Sequence, residues 1–251
     1  MLFYGKPKFT EVKMLLYEKN YQLRVSDFDH SDNLRPSAIL DMFQSVASEH
    51  ASKLNIGYNE LLQKDCVWVL LRMRYDVVKK VNFGIENVIV KTWPQKAGRV
   101  DYDRDYCIES LSGERLVKSS SKWCVINMQT RRIAVGNAVY PEGEHYSEVI
   151  YPEGLKKLPD FDLDDAEVFK GYAGHSCLDH NGHVNNVKYN DFILDALKLE
   201  KNECVKAFEI NYINEMQVGE FTLYVKKDGD KRLIKGYSNE KESFRAVVEL
   251  F

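Results

Sequence analysis

The chain has 251 residues, enough for one large domain or two fused domains, and its 44% hydrophobic and 29% charged content is ordinary for a soluble globular protein. A net charge of −3 gives no basic field for nucleic acid, and no apolar run approaches the ~20 residues that span a bilayer, so membrane insertion is not expected. Five scattered cysteines without a CxxC pair argue against a disulfide framework or a zinc ribbon, and most should pack as small reduced hydrophobes. The opening Met1–Lys6 lacks an apolar core of signal-peptide length, so a cytoplasmic location is expected.

Tyr21, Leu23 and Val25 alternate with Gln22 and Arg24, which predicts a half-buried strand. Asp29 to Pro36 then leads into a helical pattern, with Ile39, Met42, Phe43, Val46 and Ala47 at i, i+3, i+4, i+7 and i+8. Pro36 fits a first turn, where no N–H is needed. After a connection over Asn55–Cys66, strands are expected near 67–75 and 88–93, then along the alternation from Val100 to Ile108. Ser112-Gly113 marks a hairpin turn, with a return strand over 116–128. Residues 136–165 hold Pro141-Glu142-Gly143, Pro152-Glu153-Gly154 and Pro159, and read as a surface linker. The acidic run Asp160–Glu167 at its end reads as a solvated face.

Between Cys177 and Tyr189 the sequence places a carboxylate, a carboxamide and an imidazole within five residues, at Asp179, Asn181 and His183. These can supply a base or nucleophile, an orienting hydrogen-bonder and a proton shuttle. Tyr189, Phe192, Ile193, Ala196 and Leu197 then predict a helix over 187–198, with Asn185 or Asn186 as its N-cap. The cluster therefore feeds a helix N-terminus, where free amides and the helix dipole favour developing negative charge. The same composition also suits a plain capped turn. His175, His180, His183 and Asp179 crowd together, but without the i, i+4 histidine spacing of the helical zinc motif, so no metal is expected. Further strands are expected at Phe208–Tyr212, Phe221–Val225 and Phe244–Leu250, with a turn at Lys227–Asp230.

The two loop-plus-helix units align at one offset of 150: Asp29 with Asp179, His30 with His180, Leu34 with Val184, Asp41 with Asp191. Ser31 and Asn33 stand where Asn181 and His183 stand in the second unit. The pattern is a duplication in which the first copy has lost the chemistry.

The run Leu178-Asp179-x-Asn181-x-His183-Val184-Asn185-Asn186-x-x-Tyr189 resembles the signature of plant-type fatty acyl-acyl-carrier-protein thioesterases and their bacterial relatives. Trp68-Val69-Leu70, Val90-Lys91-Thr92-Trp93, Ser121-Lys122-Trp123 and Thr130-Arg131-Arg132 look like that family's landmarks, in the family's order. The resemblance implies an α+β tandem (double) hotdog, each half a curved antiparallel sheet wrapped around a long central helix. Residues 1–135 would be an acyl-chain-binding half with a degenerate site, 136–165 a linker, and 166–251 the catalytic half. It implies hydrolysis of fatty acyl-acyl-carrier-protein to free fatty acid, without cofactor or metal. The partner would be an acyl carrier protein bearing a fatty acyl chain, and a homodimer is an open assembly.

The resemblance also carries roles. Asp179 would activate water or attack the thioester carbonyl; both routes stay open. Asn181 would fix the geometry, and His183, steered by Glu215, would move the proton. Glu215 enters through Tyr212-Ile213-Asn214-Glu215, which looks like the family's Tyr-x-x-Glu. Strand alternation counted from Phe208 instead puts Glu215 on the face opposite Phe208, Ile210 and Tyr212, as an exposed strand glutamate. Met42, Phe43, Val46 and Trp68 are expected to bind the acyl chain, although from packing alone they are core residues. Two positions depart from the family: Cys177 stands where an aspartate often precedes the Leu-Asp pair, and Met216 follows the glutamate where plant members have cysteine. Competing readings are an acyl-CoA thioesterase or hydratase on the same architecture, and a non-catalytic acyl-binding module. The intact Asp179, Asn181 and His183 speak against the last.

Overall fold

The computed structural model describes residues 15–134 and 145–251. Its strands are β1 (Tyr17–Gln22), β2 (Cys66–Val77), β3 (Asn87–Pro94), β4 (Tyr102–Glu109), β5 (Arg115–Asn127), β6 (Glu167–Ala173), β7 (Val205–Tyr212), β8 (Gly219–Asp228), β9 (Lys231–Ser238) and β10 (Lys241–Leu250). They form a 10-stranded sheet in the order β1-β3-β4-β5-β2-β7-β10-β9-β8-β6, antiparallel at every pairing. Read from either edge, this order repeats the same connectivity, so the duplication seen in the loops extends to the whole topology.

The halves fuse where β2 pairs with β7. There Met73 lies opposite Ile210 and Tyr75 opposite Phe208, all four side chains buried. The Tyr75 and Phe208 rings stack with centroids 5.4 Å apart. Burying such side chains, with an aromatic pair adding ~0.5–1.5 kcal/mol beyond area, makes this seam part of one continuous core.

One face of the sheet carries the helices α1 (Pro36–Lys53), α2 (Tyr58–Leu62) and α3 (Lys188–Leu197). Pro36 sits in the first turn of α1, as its missing N–H allows, and the helix buries Ile39, Met42, Phe43, Val46 and Ala47. Helix α1 packs on β1 and β3, α3 packs on β8, and the two helices touch each other. Helix α3 is closed by Lys198 in a left-handed conformation, φ +50°.

The other face is crossed by a strap formed by residues 145–165. Trp93 Nε1 donates to the Glu148 carbonyl at 2.8 Å, and the Ile150 amide donates to Asp105 Oδ2 at 2.9 Å. Arg72 Nη1 donates to the Leu155 carbonyl at 2.6 Å, the Leu158 amide to Asn211 Oδ1 at 2.8 Å, and Asp160 pairs with Lys235 and Arg245. The strap's own Tyr151 and Leu155 are buried. Proline and glycine keep this segment out of the ladder, as its composition implies, but it packs along the sheet from β3 to β9 rather than hanging between the halves. The acidic run from Asp160 to Glu167 is the solvated face its composition predicts, its carboxylates exposed even where Asp162 pairs with Lys226 at 2.5 Å and Glu167 with Lys227 at 3.6 Å. The Pro141-Glu142-Gly143 part of the expected linker lies outside the described residues. The strap also explains why alternation fails in β4, where Asp105 and Cys107 are buried along with Tyr106 and Ile108. Burial raises the Asp105 carboxyl above its ordinary pKa.

Several elements differ from the pattern in the sequence. The first strand ends at Gln22, and Val25 begins a short three-ten helix, 77% exposed, because its alternation was fortuitous. Strands β6 and β9 were not expected. Strand β6 is an exposed edge with Lys170 and Gly171 in its middle, although the offset of 150 from β1 would have located it. Strand β9 reads Lys-Arg-Leu-Ile-Lys-Gly-Tyr-Ser, and Gly236 is needed there because a Cβ would lie 2.0 Å from the Phe244 ring.

The seam supports a paired test. Phe208→Ala should destabilise the chain by ~3–5 kcal/mol in chemical denaturation. Tyr75→Phe should change stability by less than ~1 kcal/mol, because the Tyr75 hydroxyl is buried without a hydrogen-bond partner among the described residues.

Candidate active site

The Asp179 loop is shaped by its own backbone. Leu178 bridges to Val184, the Asp179 amide donates to the His183 carbonyl at 2.8 Å, and Gly182 turns the chain with φ +80°. Asp179 Oδ1 accepts the amides of Asn181 at 2.8 Å and His183 at 3.2 Å. One carboxylate oxygen is thus committed to the turn, leaving Oδ2 for other work.

The first copy has the same backbone. Phe28 bridges to Leu34, and the Asp29 amide donates to the Asn33 carbonyl at 2.9 Å. Asp29 Oδ1 accepts the amides of Ser31 at 2.8 Å and Asn33 at 3.0 Å, and Asp32, φ +60°, takes the place of Gly182. An aspartate at this position is therefore architectural in both copies. What separates them is the side chains around it.

Glu215 lies in the loop after β7, which stops at Tyr212, so the strand count that placed it on the wrong face does not reach it. The loop is pinned by Ile213 and Asn214 amides donating to the Ser243 carbonyl, and by the Met216 amide donating to the Tyr189 hydroxyl at 3.1 Å. Burial pushes Tyr189 up to about 12, so it stays a neutral hydroxyl. The Val184 amide donates to the Met216 carbonyl at 2.9 Å, which brings the two loops together. Glu215 Oε2 then lies 3.2 Å from His183 Nε2. In the first copy the matching bond runs from the Leu34 amide to the Val81 carbonyl, so Lys80 occupies the place of Glu215.

A cavity of about 270 Å³ runs from this loop into the first half. Asp179, Asn181 and Asn186 line one end; Leu40, Phe43 and Ala47 of α1 line the other. His183 and Glu215 stand outside the lining, His183 half-buried beside its partner. Of the residues expected to meet an acyl chain, Phe43 and Trp68 line the cavity, and Met42 and Val46 do not. Successive helical residues turn ~100°, so Leu40, Phe43 and Ala47 share a stripe that Met42 and Val46 miss. Those two are buried in the core instead. Trp68 is held by Nε1 donating to the Ile56 carbonyl at 2.8 Å and by an edge contact with Tyr102.

The site is built across both halves. His180 of the catalytic-type loop packs edge-on against Tyr58 of α2, ring centroids 4.7 Å apart. Asn185 Oδ1 accepts the Val187 amide at 3.0 Å in the turn before α3. The N-cap of α3 is Val187, without a side-chain cap bond, so neither Asn185 nor Asn186 is the cap expected from the sequence. Asn186 lines the cavity, and its amide has no acceptor among the described residues. Among the described residues no group of three or more His, Cys, Asp or Glu is arranged to hold a metal ion.

Two family models match the chain, the acyl-ACP thioesterase N-terminal domain over residues 14–140 and the C-terminal domain over residues 166–245. The chain belongs to the acyl-ACP thioesterase family. It is 30% identical over 72% of its length to a chloroplastic palmitoyl-acyl carrier protein thioesterase of Cuphea hookeriana, and 31% identical over 74% to one of Gossypium hirsutum. These alignments cover 47% and 48% of the relatives, so the chain spans about half the length of the curated proteins it matches. In fold it is similar to an acyl-ACP thioesterase from Bacteroides thetaiotaomicron, TM-score 0.85 at 21% identity over 97% of this chain and 100% of that one. It is also similar to a 12:0-ACP thioesterase from Umbellularia californica, TM-score 0.84 at 20% identity over 94% of this chain and 97% of that one. The fold is thus of the hotdog type, built as one large antiparallel sheet with few helices.

Within the family, the two departures sit quietly. Met216 is fully buried and acts through its backbone. Cys177 does not line the cavity; its carbonyl accepts the Asn185 amide at 2.8 Å. Burial pushes the Cys107 thiol up to about 12 and raises Cys124 as well, so neither is a ready thiolate. Sequence reasoning missed Tyr58, which became visible only when the two halves were brought together.

The doubled loop offers its own control. Asp29→Ala and Asp179→Ala should each lower stability by ~1–2 kcal/mol in denaturant titration, because each loses two amide hydrogen bonds. Asp179→Asn keeps an Oδ1 acceptor and should stay within ~1 kcal/mol of the parent, which separates the turn from the chemistry.

Proposed function

We propose that the chain hydrolyses the thioester of fatty acyl-acyl-carrier-protein and releases free fatty acid. The observation that carries this reading is one apolar-walled cavity of the first half ending on Asp179 and Asn181 of the second, beside a His183–Glu215 pair. Phe43, Ala47 and Trp68 would hold the acyl chain, and the carbonyl would rest by the start of α3. Helices α1 and α3 would each serve as the axis around which its half-sheet curves.

Asp179 Oδ2 either takes a proton from a water that adds to the carbonyl carbon, or adds to that carbon itself. The C–S bond then breaks and the leaving thiolate takes a proton. In the second route water hydrolyses the resulting mixed anhydride, which releases the acid and regenerates Asp179. Asn181 orients the reacting groups. The Asn186 amide, at the positive end of α3, is suited to receive the negative charge that develops on the carbonyl oxygen. Since a carboxylate only accepts, the Glu215 contact selects the His183 tautomer with its proton on Nε2 and leaves Nδ1 to collect and return one. The palmitoyl and oleoyl specificities in the relatives' names set the chain-length range to assay first.

Steady-state turnover of acyl-carrier-protein and acyl-CoA substrates tests the reading directly. Free fatty acid should be released faster from the carrier protein; equal or faster release from CoA would move the chain to the acyl-CoA class. Asp179→Asn and His183→Ala should each lose ~10³-fold or more in rate, ~4 kcal/mol of transition-state stabilisation, while Glu215→Gln loses less. A folded Asp179→Asn protein with parental turnover would remove Asp179 from the chemistry. Cys177→Ser should keep most of its activity, since no thiol enters the reaction.

Chain-length preference provides a separate check. Ala47→Phe narrows the cavity beside Phe43 and should shift the product profile to shorter chains, with ~1–3 kcal/mol of discrimination per methylene excluded. Val46→Ala points into the core and should lower stability with the profile unchanged. Gas chromatography of the released acids would show the difference, and a shift from Val46 instead would place the chain elsewhere.

A further inference from the structure

Arg104 is the anomaly in the cavity's far wall. It sits on β4, is 93% buried by its 7% exposure, and lines the same cavity as Asp179. Its Nη1 group donates to Thr92 Oγ1 at 3.2 Å and lies 3.1 Å from His50 Nδ1. Those two contacts use both hydrogens of Nη1. Among the described residues nothing accepts from Nε or Nη2, and no carboxylate lies within ion-pair distance. The neighbouring acids are engaged elsewhere: Asp103 on Lys122 at 2.7 Å, and Asp105 on Gln95 and the Ile150 amide.

A buried guanidinium without a counter-charge is costly, and covering its remaining N–H groups with methylenes alone would make it more so. A purely hydrocarbon chain has nothing to offer it. The position fixes where an offered group must lie. Tyr212 of β7 marks the loop end of the cavity and Arg104 of β4 the other, with β2 and β5 between. Three strand spacings of ~4.8 Å put them roughly 14 Å apart across the sheet. The facing group is therefore far down the acyl chain, well beyond the carbons next to the thioester.

We infer that Arg104 is a specificity-determining residue for acyl chains that carry an oxygen function, a hydroxyl, oxo or carboxylate group, remote from the thioester. This rests on the thioesterase reading above and narrows its substrate class. A hydroxyl or oxo oxygen accepts one hydrogen bond from the free Nη2 or Nε, and a carboxylate accepts both in the forked geometry that guanidinium favours.

The test compares carrier-protein thioesters of one chain length: unsubstituted, ω-hydroxy and ω-carboxy. In the parent protein kcat/KM for an oxygenated chain should exceed that for the plain chain, and Arg104→Met should lower that ratio by ~10–100-fold, the range expected for hydrogen bonds to a charged group. Arg104→Lys, which keeps the charge and loses the fork, should fall between. Calorimetric binding of the free ω-hydroxy and unsubstituted fatty acids to the parent protein gives a second readout that needs no variant to fold and no turnover. An unchanged ratio in Arg104→Met, or equal affinity of the parent for the two acids, would overturn the assignment and leave Arg104 a packing residue. Failure of every thioester to turn over, plain chains included, would instead count against the thioesterase reading; the calorimetry would still decide the role of Arg104.

Discussion

The pairing of β2 with β7 is the constraint on which the rest depends. It turns two five-stranded units into one sheet and fixes α1 and α3 on the same face. Only in that arrangement can the Asp179 loop of the second unit close over a cavity walled by α1 of the first. Stacked rings at the seam and the strap across the opposite face hold this geometry from both sides. Neither unit alone contains both the loop and the cavity it serves.

Duplication also suits the proposed division of chemistry and binding between the two halves. Both loops use an aspartate oxygen to gather two amides, so the fold retains that residue whether or not catalysis does. The second copy adds Asn181, His183 and Glu215 around it; the first has Ser31, Asn33 and Lys80. A lysine in the glutamate's place would repel a protonated imidazole rather than steady it. The two copies therefore differ in local charge as well as in the groups they carry.

Much of this was legible in the sequence. Helices α1 and α3 were given by their apolar periodicity, and the Asp-Asn-His cluster by its residue types, although the cap of α3 falls at Val187 rather than at Asn185 or Asn186. The offset of 150 revealed the repeat, whose full strand order the structure shows. Less legible were features set by tertiary contact. Strand β9 lacks alternation because its small Gly236 and buried Lys235 answer to Phe244 and to the strap. Met42 and Val46 look as suited to an acyl chain as Phe43 does, since a helical repeat shows which residues are buried but not which buried stripe faces a cavity. Glu215 could be placed only by family resemblance, because the end of a strand is poorly marked when Tyr-Ile-Asn continues its pattern.

The preserved first loop has a consequence for how the chain could change. Its backbone already holds the bends, the bridge and the gathered amides of the second copy, and it opens on a cavity of about 710 Å³ whose lining includes Tyr75, Val77 and Leu194. Placing Asn at Ser31, His at Asn33 and Glu at Lys80 alters one exposed and two half-buried positions, and at Ser31 the side-chain oxygen itself is buried. The molecule thus keeps a dormant socket for the same side-chain set. Its lopsidedness lies in a few replaceable groups rather than in the scaffold, so a two-centred descendant is separated from it by side-chain chemistry alone.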